Sequence, residues 1–266
     1  MKLWQIFLVI AVIVILVFLS FGFISGKSDL KTDIGVGLAE SFHDSKKYDL
    51  AMSMCEWVLE DEPDNRDALA VKAKILTETG NQDEALELQR YIVYDIPEEA
   101  TKEDWQNLAS LTIKAGNTSE AVDAYGKLEE YYTQMYIEDP SVDTLYSRGQ
   151  VLIKLQRYDE AIDCYLKMTV LEPNSSKSWI GLGDAYLFKS MYEQGQLKDL
   201  YSDLGKDPSE RVNKYNFNAY QSNMKAVEAY NKAVELDPLA YALVASKIVG
   251  SYQQSIENYQ DILEGL

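Results

Sequence analysis

In 266 residues, 43 aspartates and glutamates face 25 lysines and arginines, a formal charge of −18. So acidic a surface repels phosphate backbones and argues against nucleic acid as a partner. The apolar fraction of 47% is ordinary for a folded chain, while two cysteines and one histidine, His43, cannot supply a four-ligand zinc site without carboxylates.

The chain opens on an uncharged run from Leu3 to Gly26. Within it, the nineteen residues Ile6–Ile24 are almost wholly aliphatic or aromatic and would span roughly 29 Å as a helix, about the hydrocarbon thickness of a bilayer. The length favours an uncleaved, single-pass membrane anchor at 1–26, with Trp4–Ile24 as one helix and a short linker at 27–31. The competing reading is a signal peptide cleaved near Ser20-Phe21-Gly22, although the apolar run exceeds the usual length of such segments. Lys2 on one flank and Lys27 and Lys31 on the other nearly balance, so the side of the remaining chain stays open.

Beyond Lys31 the chain repeats. Ala51 and Ala85 stand 34 residues apart, as do Pro63 and Pro97, and Ala121 and Ala161 continue the series. A period near 34 marks a helical-repeat solenoid. The unit is clearest at Ser141–Asn174. There Leu145, Arg148, Gly149 and Leu152 share one face of a first helix, and Tyr158, Ala161, Tyr165 and Met168 share one face of a second. A turn falls around Gln156, and Pro173 stops the second helix. First helices carry a small residue at one equivalent position: Ala39, Ala73, Ala109, Gly149 and Gly183. Second helices do so at Ala51, Ala85, Ala121, Ala161 and Ala226. Small residues at both positions let paired helices pack closely. Cys55 and Cys164 both fall on second helices, three repeats apart, and read as core thiols rather than a disulfide.

Trp179, Leu182, Gly183, Tyr186, Ala226, Tyr230, Ala233 and Pro238 follow the pattern W-x2-L-G-x2-Y, A-x3-F, A, P, and Trp105, Leu108, Ala109, Ala121, Tyr125 and Leu128 follow it in part. Lys72 and Gln89 depart from it. On these residues the chain resembles the tetratricopeptide repeat family. The resemblance implies an all-α, right-handed superhelical solenoid of helix-turn-helix repeats behind the N-terminal membrane helix. Five repeats fall at 32–65, 66–99, 102–135, 142–175 and 176–240, and a capping helix at 241–266 closes the last.

The fifth unit is irregular. Tyr186 precedes Ala226 by forty residues, 31 more than in the other units. Leu197, Leu200, Tyr201 and Leu204 repeat at helical spacing, Gly205 can end a helix, and Asp207-Pro208-Ser209-Glu210 can begin another. The insertion at about 190–222 therefore reads as a helical hairpin that lengthens both helices by roughly 15 residues, some 23 Å at the rise of an α-helix.

The resemblance also implies that first helices line a concave groove that holds a peptide or a partner domain. Positions spaced i, i+4, i+7 share that face. Among them Lys74, Gln106, Ser110, Tyr146, Gln150 and Asp184 are the candidate contacts, Tyr146 as anchor and the others setting polar register. No dense row of Lys and Asn occurs, so the arrangement with which family members clamp a chaperone's C-terminal carboxylate is not evident. No phosphate-binding loop, H-E-x-x-H or C-x-x-C is present, and no cofactor is implied. The acids Asp61, Glu62, Asp64 and Asp67 lack the glycine and ligand spacing of a calcium loop and read as a solvated turn. The function expected is a membrane-anchored, non-enzymatic protein-interaction scaffold. The alternative is an exported, signal-processed binding module for a small ligand or cell-surface component.

Overall fold

The computed structural model describes residues 28–204 and 210–264, all-α and without a strand among them. Among these residues eleven α-helices follow one another: α1 Ser28–Asp44, α2 Tyr48–Leu59, α3 Arg66–Thr79, α4 Gln82–Arg90, α5 Lys102–Lys114, α6 Thr118–Glu138, α7 Val142–Lys154, α8 Tyr158–Leu171, α9 Ser176–Leu204, α10 Glu210–Leu236 and α11 Tyr241–Glu264. A π-helical turn, Tyr91–Asp95, prolongs α4, and a 3-10 turn, Pro238–Ala240, leads into α11. Two compact units divide the chain, one ending at Ala124 and the other starting at Tyr125.

The expected membrane helix and single-pass localisation are corrected. Among the described residues no helix is long and apolar enough to cross a membrane. The segment on which the expectation rested, Trp4–Ile24, lies outside the described residues, as do the cleavage site considered for it and the turn residues 205–209. The first described helix, Ser28–Asp44, takes in residues 28–31 of the stretch expected to be a linker.

The repeat is written in the turns within helix pairs. Lys46, Gly80, Gly116 and Gln156 all adopt positive φ, at 56°, 91°, 77° and 58°. After each of them the next amide, of Lys47, Asn81, Asn117 or Arg157, donates to the carbonyl five residues back, at 2.8–2.9 Å. This is the Schellman closure of a helix C-terminus, which satisfies a carbonyl the helix leaves free. Helix starts are capped in turn. The Asn65 side chain accepts from the Ala68 amide at 2.9 Å, and Ser141 Oγ accepts from the Thr144 amide at 3.1 Å. The acids of the first repeat junction are each engaged: Asp61 by Lys31, Glu62 by Thr32, Asp64 by the Tyr91 hydroxyl and Asp67 by Arg66.

All ten small residues at the two repeat positions are buried. In the first unit, Ala39, Ala51, Cys55, Val71 and Ile75 form one core cluster. In the second, Leu145, Leu152, Ala161, Tyr165, Met168, Leu182 and Ala185 form another. Tyr230 packs with Ala226 and Val244 in a third. Both cysteines are free and buried, and burial raises their thiols, Cys55 to about 11, which keeps them unreactive.

Helices α9 and α10 run for 29 and 27 residues, against 13 and 14 in the pair α7 and α8. The interior that they share with α11 is unusually polar, with Ser190, Glu193, Asn216, Ser222, Asn223, Ser251 and Asn258 all buried. Asn223 is 1% exposed, and among the described residues neither its amide nitrogen nor its oxygen has a hydrogen-bond partner. An unsatisfied buried amide costs more than an apolar group of the same shape. Asn223→Leu is therefore expected to raise the unfolding free energy by about 1–2 kcal/mol, measured by the urea midpoint. A lowered midpoint would show that the amide stabilises the fold after all.

Candidate functional site

The first helices supply the candidate contacts, and each unit arranges its own. In the first unit, Lys74 on α3 and Ser110 on α5 open onto one cleft of about 120 Å³. Thr77, Glu78, Gln89, Asn107 and Lys114 complete its polar lining. Helical spacing explains the pairing: Lys74, Thr77 and Glu78 fall within one turn of α3, and Asn107, Ser110 and Lys114 follow at i, i+3 and i+7 on α5. Gln106 is exposed on the same helix but does not line this cleft. The sequence reading missed Asn107 and Lys114, because it followed a single i, i+4, i+7 track while the cleft wraps onto the adjoining one.

The charges of this cleft are unequal in their freedom. The Glu78 carboxylate accepts from the Tyr48 hydroxyl at 2.8 Å and lies 3.2 Å from His43 Nε2. The tyrosine bond, then the nearby histidine, holds its carboxyl below the usual range. Lys74 and Lys114 make no ion pair among the described residues. Within a strongly acidic chain the cleft thus presents two ammonium groups, the Asn107 amide and the Ser110 hydroxyl to an incoming acceptor, beside the engaged Glu78 carboxylate, while the Thr77 hydroxyl already donates to the Ala73 carbonyl at 2.8 Å.

In the second unit, Tyr146 and Gln150 stand one turn apart on α7. Tyr146 is half-buried, its ring edge-on to Tyr165 at 6.0 Å, and the Lys177 ammonium lies 4.1 Å above it. Gln150 is exposed. Asp184 differs from the rest: it accepts from the Tyr230 hydroxyl and from Lys247 Nζ, both at 2.6 Å. Burial and this carboxylate raise the Tyr230 phenol far above its ordinary value. Asp184 therefore ties α9 to α10 and α11, and it can reach a partner only by giving up these bonds. Its role was hidden from the sequence because Tyr230 and Lys247 lie 46 and 63 residues away.

Comparison with known proteins identifies the repeats. Residues 142–175 and residues 36–100 each match a family model described as tetratricopeptide repeat. These two segments are tetratricopeptide repeats. Human protein O-mannosyl-transferase TMTC1 is 23% identical over 164 residues, which are 61% of this chain and 18% of that protein. The chain thus spans less than a fifth of that relative. Among solved structures, YrrB, a TPR protein with an unusual peptide-binding site, superposes with a TM-score of 0.51 at 14% identity, covering 86% of this chain and 97% of its own. It shares the fold. MamA covers 78% of this chain and 96% of its own at 19% identity, with a TM-score of 0.45.

Proposed function

We propose that this chain is a non-enzymatic protein-interaction module that holds an extended or helical peptide segment against the first helices of its tetratricopeptide repeats. One observation carries the reading: Lys74 and Ser110, from first helices of successive repeats, open onto a common cleft whose lysines make no ion pair among the described residues. Such a lining suits backbone carbonyls or a carboxylate side chain of a partner. Gln106 extends the polar face along α5, and in the second unit Tyr146 offers an aromatic anchor with Gln150 beside it. Tyrosine is over-represented among residues that dominate binding energy. Asp184 acts on the partner through the helices it fixes.

The test starts with a photo-crosslinking residue at position 110, with position 127 on α6 as an exposed control. Crosslinked polypeptides specific to position 110 define the partner. Lys74→Ala and Tyr146→Ala are each expected to weaken its binding about tenfold, as for interface anchors, with the thermal melt unchanged. Unaltered affinity in both variants would remove the first helices from the interface.

A further inference from the structure

We infer that the second unit holds a separate binding site for an alkylammonium group, of the kind a lysine side chain carries. A cleft of about 460 Å³ is walled by Tyr158 at the start of α8, by Lys189, Tyr192 and Glu193 on α9, and by Asn218 on α10. Lys189, Tyr192 and Glu193 share one helix face at i, i+3, i+4. The site uses none of the first-helix residues assigned to peptide binding above, so the two stand or fall separately.

Glu193 decides the ligand. It lines the cleft yet is only 7% exposed. Among the described residues its carboxylate accepts one hydrogen bond, from Ser222 Oγ at 3.0 Å, and makes no ion pair. A carboxylate can accept about four hydrogen bonds, and a buried one without a counter-ion is costly. The basic groups around the cleft are already committed. Arg157 donates twice to Glu160, at 2.6 and 2.7 Å, and approaches Glu129 at 3.3 Å, while Lys189 donates to Asp159 at 2.5 Å. Glu193 is thus the carboxylate left over. Burial raises its pKa; Ser222, Lys189 and Lys225 oppose the rise and Asp159 adds to it.

The aromatic wall fits the same ligand. The Tyr158 and Tyr192 rings lie 5.5 Å apart, inclined at 53°. Aromatic faces attract cations, and the apolar stem of an alkylammonium group packs on them. An anion would meet Asp159, Glu160 and Glu193 with both local cations already engaged, and a neutral ligand would leave Glu193 uncompensated. The free amides at the start of α8 add no anion site, since Asp159 and Glu160 occupy its first turn.

Ligand-observed saturation-transfer NMR on the full chain tests this with three probes: Nα-acetyl-lysine methylamide, its Nε-acetylated form, and n-butylammonium. The two cations are expected to bind saturably and the acetylated form not at all. Glu193→Gln keeps the Ser222 bond and side-chain volume but removes the charge, and should weaken cation binding about tenfold. Tyr192→Leu, at a half-exposed position, should weaken it severalfold through loss of the ring. Tighter binding of the lysine probe than of n-butylammonium would support a polypeptide source, and the reverse a free amine. Cation binding that survives undiminished in Glu193→Gln, with the melt intact, would reduce it to general attraction by the acidic surface and overturn the site. So would equal binding of the Nε-acetylated probe.

Discussion

Replacing Tyr165 by alanine is expected to cost about 3–5 kcal/mol of stability, as for large aromatic truncations in a packed core. The side chain is 1% exposed and sits among Leu145, Leu152, Met168 and Leu182. Its slot is cut by two glycines. A Cβ added at Gly149 on α7 would lie 2.7 Å from the ring Cζ, and one added at Gly181 on α9 would lie 2.3 Å from Cε1. Those distances leave no room for any side chain but hydrogen while the ring is present. Gly181→Ala alone should therefore destabilise by about 1–3 kcal/mol through overpacking. Combined with Tyr165→Ala, the new methyl enters the space the ring has left, so the double variant should be more stable than the sum of the two losses. Urea denaturation of the two single variants and the double variant measures this coupling. Strict additivity would mean that the ring and the glycine do not meet, and that the slot does not exist.

How much of this was legible in the sequence depends on the range of the interaction. The small residues at Ala39, Ala73, Ala109, Gly149 and Gly183, and their counterparts on second helices, recur at a fixed period, so helix pairing could be read from composition at two positions. Gly183 fits that logic because Tyr230 presses on it, with its Cε1 2.5 Å from where a Cβ would stand. Gly181 has a glycine counterpart in Gly37, where an added Cβ would meet nothing within 4 Å, so only the packed ring marks Gly181 as constrained. Turn geometry was half legible. Gly80 and Gly116 announce a left-handed residue, but Lys46 and Gln156 hold the same conformation without glycine, because the closing hydrogen bond and the tertiary packing outweigh the local preference. The candidate site was legible as a set of helix faces but not as a state of charge. Sequence spacing finds Lys74 and Asp184 equally exposed to a partner. Only the fold shows that Asp184 is held by Tyr230 and Lys247 while Lys74 has no ion partner among the described residues. The membrane localisation came from hydropathy over a segment outside the described residues, and no described helix supports it.

Replacing Asp104 by leucine is expected to cost about 3–5 kcal/mol, the penalty for leaving the other half of a buried ion pair alone. Asp104 is 1% exposed on α5, and three earlier segments converge on it. Arg66, the first residue of α3, donates through Nε at 2.8 Å and Nη2 at 2.5 Å to Oδ2. Gln89 on α4, itself 1% exposed, reaches Oδ1 at 3.3 Å and the Asp104 carbonyl at 3.1 Å. Thr101 donates its amide at 2.9 Å and its hydroxyl at 2.8 Å, which fixes the start of α5 as a cap. Leucine would fill the volume but keep only the bond from Gln89 to the backbone carbonyl and accept none of those to the carboxylate. It would leave the Gln89 amide short of an acceptor and the guanidinium with only Thr101 and the exposed Asp67. Asp104→Asn should lose less, since its oxygen can still accept from Arg66, although its NH2 then faces donors. Arg66→Met in the Asp104→Leu background removes the stranded cation and should recover part of the loss, because an apolar pair of similar volume can replace a buried ion pair. Arg66→Met alone should be nearly as harmful as Asp104→Leu, since it strands the carboxylate instead. Thermal unfolding of the four variants closes the cycle. A double variant that loses the full sum of the singles would show that Arg66 and Asp104 act independently.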